Sequence, residues 1–233
     1  MRMGTEEATA LLWEGLAAPK RGPRPTLRLD AIAGEGIALA DAEGIDSVTM
    51  QRVAAALGVT KMALYRYVPG KNELVALMTD IAIGEPPRLA DLEGGWRPRL
   101  YAWALRMSER FWRHPWTLQT TVGRRAFGPN ELDWLEESVA ALDGIGLEGG
   151  EKLDVAATLS GHVRSLVQQG VARVSEDGIE GRFTALVRGR EERFPALLAA
   201  MKSAEAHDSQ NKAFEFGLER ILDGVGSLLE QRA

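Results

Sequence analysis

Side chains that bind phosphate are concentrated between residues 61 and 67 of the 233-residue chain. Lys61 and Arg66 carry positive charge, and Tyr65 and Tyr67 carry hydroxyl groups, all of which can donate hydrogen bonds to phosphate oxygens. A helix formed by these residues would add the backbone N–H groups of its first turn, which also bind anions. The residue types therefore favour contact with a nucleic-acid backbone.

A tight turn between two short helices would position these side chains. Leu57 completes an apolar helical face, and Gly58 directly after it ends the first helix. Thr60 can cap a second short helix, which Pro69-Gly70 stops. This layout is the helix-turn-helix, whose second helix fits into the major groove of DNA.

Three short motifs in this stretch together resemble the tetracycline-repressor (TetR) family of bacterial transcription regulators. The motifs are Leu57-Gly58-Val59, Ala63-Leu64-Tyr65-Arg66-Tyr67-Val68 and Gly70-Lys71. The resemblance is strong over residues 27–83, and over 96–233 it rests on helical pattern and the tryptophan-rich segment His114-Pro115-Trp116. The alternative is a helical hairpin in an unrelated all-α protein.

The resemblance implies roles for individual residues of the helix-turn-helix. Thr49 and Lys71 are expected to contact phosphates, and Gln51 is expected to lie near base edges. Glutamine can pair with adenine through two hydrogen bonds; the alternative for Gln51 is a solvated surface residue. The expected DNA-binding positions of this segment are Thr49, Gln51, Thr60, Lys61, Ala63, Tyr65, Tyr67 and Lys71.

A basic segment precedes the helix-turn-helix. Residues 19–27, PKRGPRPTL, contain three prolines and a glycine and cannot remain helical. We expect Lys20, Arg21 and Arg24 to enter the DNA minor groove, as the basic arms of homeodomains do. The alternative is a linker whose charges only keep it solvated.

Charge is unevenly divided along the chain. The formal net charge of −5 by itself argues against a nucleic-acid partner. Residues 1–72 carry nine lysines and arginines against eight acidic residues, whereas residues 73–233 carry nineteen against twenty-five. Because local charge governs groove contact, the acidic total does not exclude DNA binding by the first part.

The absence of cysteine excludes disulfides, thiolate zinc sites and cysteine nucleophiles, and it fits a reducing cytoplasm. No apolar run approaches the roughly 20 residues that span a bilayer. The acidic start, MRMGTEEATA, lacks the apolar core of a signal peptide. We expect a cytoplasmic protein with no membrane contact.

Helical periodicity continues to the end of the chain, without a strand signal or an internal repeat. The sequence predicts an all-α fold with an extension and arm (1–28), a DNA-binding domain (29–83) and a larger helical domain (84–233). Ser47 and Asn130 are predicted helix caps. Besides the two helices of the helix-turn-helix, predicted helices cover 5–18, 29–43, 72–83, 97–114, 131–143, 151–173, 195–203 and 207–231.

The helices 151–173 and 207–231 have the pattern of a dimer interface. Gly217, Gly224 and Gly226 lie inside the last helix, where each costs roughly 1 kcal/mol relative to alanine. Such glycines allow close backbone approach. In the TetR family two such helices pair with their copies, so the resemblance implies a homodimer. The alternative is packing within one chain.

An aromatic cluster marks the start of the second domain, where five of the six tryptophans lie between residues 96 and 134. Apolar surface with a few polar groups is the usual lining of a small-molecule site, and the family binds its effector in the helical domain. The alternative is ordinary core. The expected ligand-binding residues are Trp103, Met107, Phe111, Trp112, Trp116, Trp134, His162 and Gln169.

His162 could hydrogen-bond an effector or bind a metal, but it has no carboxylate at ligand spacing, so we assign neither metal nor cofactor. The sequence then favours a transcription regulator, most often a repressor, released from a palindromic double-stranded DNA operator by a small apolar or aromatic effector. The rivals are a constitutive DNA-binding protein without an effector and a helical enzyme. The enzyme reading lacks an acid–base pair or a nucleophile.

Overall fold

The computed structural model describes residues 3–14, 27–175, 186–187, 189–190, 192–206 and 212–232. These residues form α-helices and short 3₁₀ helices and include no strand, which confirms the predicted all-α class. They belong to two compact units, Met1–Asp143 and Gly144–Ala233. The first unit thus includes residues 84–143, which the sequence-based division assigned to the second domain. A functional division after residue 83 stays a prediction.

The helix bounds agree with the predicted ranges to within a few residues at most ends. The first unit contains α1 (Met3–Glu14), α2 (Leu29–Glu43), α3 (Met50–Ala56), α4 (Lys61–Tyr65), α5 (Lys71–Ile83), α6 (Trp96–Arg113), α7 (Thr117–Thr120) and α8 (Pro129–Ala140), with 3₁₀ helices at Ile45–Ser47 and Leu89–Asp91. The second unit contains α9 (Gly149–Ser175), α10 (Pro195–Ala206) and α11 (Ala213–Glu230).

Residues 29–83 form a segment that we call the head, and its core lies between α2, α3, α4 and α5. Ile32, Leu64, Leu74 and Met78 are fully buried there. Gly36 of α2 faces the sulfur of Met78, so closely that a Cβ atom at this position would displace the methionine. The apolar faces predicted from helical periodicity therefore meet in one core.

Two predicted caps are wrong. Thr49, and not Ser47, caps α3, because the 3₁₀ helix Ile45–Ser47 occupies the chain before it and the Thr49 hydroxyl accepts a hydrogen bond from Arg52 N. Helix α8 begins at Pro129, so Asn130 lies inside its first turn. The Asn130 amide instead donates to the carbonyl oxygen of Asp80, 3.0 Å away.

Helix α1 packs against α5. Its Ala8 and Leu11 are buried, and the indole nitrogen of Trp13 donates to the carbonyl oxygen of Phe127 at 2.9 Å. The predicted helix 5–18 is thus confirmed as far as Glu14, and residues 15–18 lie outside the described part of the chain. The helix forms part of the first unit.

In the second unit, α9 and α11 pack against each other. Leu159 and Leu218 are fully buried in this unit. Gly217 faces the ring of His162 so closely that a Cβ atom would clash with it, whereas Gly224 has open space around the corresponding position. Close packing within the chain therefore explains Gly217 but not Gly224.

Candidate nucleic-acid interface and ligand-binding residues

The turn of the helix-turn-helix depends on Gly58, whose φ of +66° is accessible to glycine without strain. The N–H group of Gly58 donates to the carbonyl oxygen of Ala55 at 3.0 Å, and that of Val59 donates to Ala54 at 2.9 Å. These bonds satisfy the last carbonyl groups of α3, as a glycine-terminated helix end requires. The chain can then reverse direction within three residues.

Helix α4 begins immediately after this turn, and Thr60 caps it by accepting a hydrogen bond from Ala63 N at 3.1 Å. Leu64 is fully buried and holds the helix against the head core. The ammonium group of Lys61 lies 5.6 Å from the ring centre of Tyr65. The exposed side chains of this segment are Lys61, Met62, Tyr65 and Arg66.

The other predicted DNA-binding residues divide by exposure. Thr49, Gln51 and Lys71 are exposed, whereas Ala63 and Tyr67 are half-buried. Tyr67 packs against the head core. Lys20, Arg21 and Arg24 lie outside the described residues.

Two exposed residues, Met62 of α4 and Arg66 directly after it, were not in the list of expected DNA-binding positions, although Arg66 was counted among the phosphate-binding side chains. Met62 is 75% exposed, and Arg66 is also exposed. The sequence did contain a signal for their exposure: Leu64 faces inward, so neighbouring residues on the other side of this short helical segment must face solvent. Both lie on the same short segment as Lys61 and Tyr65.

Arg52 of α3 forms an ion pair at the surface of the head. Its guanidinium group donates two hydrogen bonds to Glu43 at the end of α2, at 2.8 and 2.5 Å. The hydrogen bonds to Arg52 lower the pKa of Glu43. This ion pair connects α3 to α2 across the intervening 3₁₀ helix.

The His114-Pro115-Trp116 segment also connects to the head. The indole nitrogen of Trp116 donates to the Asp41 carboxylate at 2.7 Å, and His114 Nδ1 lies 2.9 Å from the same oxygen. Trp116 is 3% exposed and belongs to the head core cluster. These contacts do not support its predicted place in a ligand cavity.

Trp103 and Trp134 form an edge-to-face pair with ring centres 5.7 Å apart. The indole nitrogen of Trp103 donates to the carbonyl oxygen of Trp134, and that of Trp134 donates to Gly84, both at 2.8 Å. Both tryptophans are 2% exposed. Their polar groups are therefore already satisfied, as in ordinary core.

The remaining predicted ligand residues are in different surroundings. Met107 and Phe111 are buried on α6, whereas Trp112 is 45% exposed. In the second unit, His162 Nε2 donates to the carbonyl oxygen of Phe214 at 2.8 Å. Gln169 is exposed. A ligand role for these residues stays a prediction.

Asp80 joins α5 to α8 and was missed by the sequence reasoning. It is 4% exposed, accepts hydrogen bonds from Asn130 Nδ2 and Glu131 N at 3.1 and 3.2 Å, and lies directly against Gly128. Burial raises the pKa of Asp80 to about 6. Asp80 is the one charged residue in the sequence stretch 74–83, and this was the signal that pointed to it.

Among the described residues, no group of three histidine, aspartate or glutamate side chains could hold a metal ion. No helix in the described part of the chain is both long and apolar enough to cross a membrane.

Comparison with known proteins agrees with this architecture. A family model described as "Bacterial regulatory proteins, tetR family" matches residues 34–78, and one described as "Tetracyclin repressor-like, C-terminal domain" matches residues 87–229. A transcriptional repressor of Streptomyces coeruleorubidus, DrrR1, is 37% identical over 95% of this chain and 86% of its own length. An HTH-type transcriptional regulator of Saccharopolyspora erythraea is 27% identical over 88% of this chain and 86% of its own.

The solved structures include the Streptomyces coelicolor TetR family protein ActR in complex with actinorhodin. It is 24% identical, covers 89% of this chain and 99% of its own, and has a TM-score of 0.74. This likeness confirms the fold. Since both family models and the relatives describe transcription regulators, the enzyme reading is excluded. The chain belongs to the tetracycline-repressor family of bacterial transcription regulators, with an N-terminal DNA-binding helix-turn-helix and a helical C-terminal domain.

Proposed function

We propose that the protein is a repressor that binds an inverted-repeat DNA operator as a homodimer. A small apolar or aromatic effector, bound within residues 84–233, would release it. The observation that carries the DNA-binding part is the surface of α4, where Lys61, Tyr65 and Arg66 are exposed while Leu64 fixes the helix to the core. Such a helix fits the major groove.

Within this interface, Lys61, Tyr65 and Lys71 would contact phosphates, and Gln51 would reach a base edge. Thr49 and Thr60 cap α3 and α4 through their oxygens, which leaves each hydroxyl proton available to a phosphate. Lys20, Arg21 and Arg24 would follow the minor groove. Phosphate contacts set the position of the protein, while base contacts select the sequence.

Dimerisation is supported by the exposed faces of α9 and α11. Leu153 is 52% exposed and Phe216 is 63% exposed, although both are apolar. Gly161 and Gly224 are exposed and have open space beside them, which would allow a second copy to approach closely. A two-fold dimer would place its recognition helices roughly 34–36 Å apart, one turn of DNA.

The repressor assignment is supported by DrrR1, and effector control by ActR, whose structure contains actinorhodin. A regulator without an effector is the second candidate. It is favoured by the Trp103–Trp134 pair, whose indole N–H groups already have backbone partners. An effector would act through its different affinity for the DNA-competent and released conformations.

The test is selection of bound sequences from random DNA by the purified protein, followed by affinity measurements for the selected site at several salt concentrations. We expect an inverted repeat bound by a dimer. Lys71→Ala should weaken binding to all DNA sequences. It should also reduce the slope of log affinity against log salt concentration by about one. Lys202→Ala, which removes an exposed lysine of α10, is the matched control and should leave affinity unchanged.

Different results would separate the alternatives. No enrichment at low salt would overturn the DNA-binding proposal. Enrichment of a single half-site by a monomer would overturn the dimer. If an operator is found and a broad screen of aromatic compounds releases no protein from it, the regulator without an effector is the better description.

A further inference from the structure

A groove of about 440 Å³ lies on the first unit, away from the helix-turn-helix turn itself. Its apolar lining comes from Ala8 of α1, from Val75 and Ala76 of α5, and from Ala126. It is therefore formed by α1, by α5 and by the loop before α8. A volume of this size falls within the range of small-molecule sites.

The two sides of the groove are fastened together. Thr79 on α5 and Thr120 at the end of α7 both line it, and their hydroxyl groups share a hydrogen bond of 2.8 Å. The loop that follows α7 is held by Arg125, which forms an ion pair with Glu131 of α8 at 2.5 Å. These contacts hold the groove in a preformed shape that does not depend on a ligand.

The charge of the groove is positive. Lys71 and Arg124 line it, both are exposed, and neither has an ionic partner among the described residues. Arg125 also lines it, and its Nε atom is buried without a hydrogen-bond partner among the described residues. None of the lining residues from the described chain is acidic.

We propose that this groove binds a small organic anion: an apolar or aromatic body that carries one carboxylate, sulfonate or phosphate group. The acid group contacts Arg124 and Lys71, where ionised partners make the stronger class of hydrogen bond. The apolar body lies along Ala8, Val75 and Ala76. Arginine suits this role because its planar guanidinium group matches the geometry of such acids.

This binding does not require DNA, but its consequence for regulation rests on the proposed function. Lys71 is also the proposed phosphate contact at the start of α5. An anion bound to its ammonium group competes with the DNA backbone for the same charge. Each ligand then weakens the other by the same factor.

The test uses the full chain without DNA and anilinonaphthalene sulfonate, a fluorescent aromatic anion, as the probe. Arg124→Gln removes the anion partner, and Ala76→Trp fills the groove. We expect Arg124→Gln to raise the dissociation constant of the probe by about tenfold or more, the scale of one lost charged hydrogen bond. Ala76→Trp should also raise it, because the indole occupies the space of the apolar body. Arg113→Gln, which removes an exposed arginine of α6 outside the groove, is the control and should leave binding unchanged.

Circular dichroism checks that the Ala76→Trp variant is folded. If that variant does not fold, the result for Arg124→Gln alone decides the test. Phenylnaphthylamine, which lacks the sulfonate, should bind the parent more weakly and should not distinguish Arg124→Gln from it. Equal binding of the anionic probe by the parent and Arg124→Gln would overturn the site. If the parent protein binds the anionic probe but selects no operator DNA, the result counts against the DNA-binding proposal and not against this site.

Discussion

Trp116 and Asp41, 75 residues apart in sequence, are joined by a hydrogen bond of 2.7 Å from the indole nitrogen to the carboxylate. His114 Nδ1 lies 2.9 Å from the same carboxylate oxygen. Because Asp41 is on α2 and Trp116 follows α6, the contact ties the head to the segment between α6 and α7. The position of the head thus depends on residues outside 29–83.

Replacing Trp116 with phenylalanine should test this connection. The variant loses the indole donor and part of a buried ring, and it leaves one side of the Asp41 carboxylate without a partner. We expect the free energy of unfolding to fall by about 2–4 kcal/mol, the sum expected for a charged hydrogen bond and lost core packing. Urea denaturation measures it. Trp112→Phe, at a 45% exposed site, should change stability by less than about 0.5 kcal/mol.

Asp80 should make stability depend on pH. Its pKa is raised by burial from 3.8 in the unfolded chain to about 6 in the folded protein, so the folded state holds the proton more tightly. The resulting stabilisation is fully present below pH 3.8 and is lost as pH rises through about 6. Asp80→Asn removes this group, so the parent should lose stability relative to the variant over that window, by up to about 3 kcal/mol.

The measurement is urea denaturation of both proteins at several pH values, because other titrating groups cancel in the difference. A constant difference between parent and variant from pH 4 to pH 7 would show that Asp80 does not titrate with a raised pKa.

Gly128 should not accept a side chain. A Cβ atom there would clash with the carboxylate of Asp80. Since that carboxylate is held by Asn130 and Glu131, it has little freedom to move. We expect Gly128→Ala to destabilise the protein by about 1–3 kcal/mol in thermal or urea unfolding.

Gly34→Ala is the matched control for this substitution. Gly34 lies in α2 with open space beside it, and alanine there should stabilise the helix by up to about 1 kcal/mol. If Gly128→Ala and Gly34→Ala stabilise the protein equally, the prediction that a side chain at position 128 clashes with Asp80 is wrong.

The Thr60 hydroxyl should matter for both stability and DNA binding. Thr60→Ala removes the cap on Ala63 N, which typically costs about 1 kcal/mol. Fraying of α4 should weaken operator affinity as well. Thr60→Ser keeps the hydroxyl and should retain both properties. Equal operator affinity of the alanine and serine variants would show that the cap is not needed for DNA binding.

The helix-turn-helix could be predicted from the sequence because its determinants are local. The N–H groups of Gly58 and Val59 end α3 by donating to carbonyl groups three and five positions before them, and the Thr60 hydroxyl caps α4 by accepting from the residue three positions later. The pattern of apolar residues likewise placed Leu64 inward. The same reasoning placed Ser47 at a cap, because it could not detect that Ser47 would end a 3₁₀ helix and that Thr49 would cap α3 instead.

The contacts that join distant elements could not be predicted in this way. Nothing in the sequence near Asp80 indicates that Asn130, 50 residues away, would bind it, and the tryptophan-rich segment gave no sign that Trp116 belongs to the head core. Periodicity reveals which face of a helix is buried, but not which helix covers it. The sequence alone therefore determined the helices, the turn and the family, whereas tertiary packing decided the partners of each buried polar group, because those partners are brought together only when the helices meet.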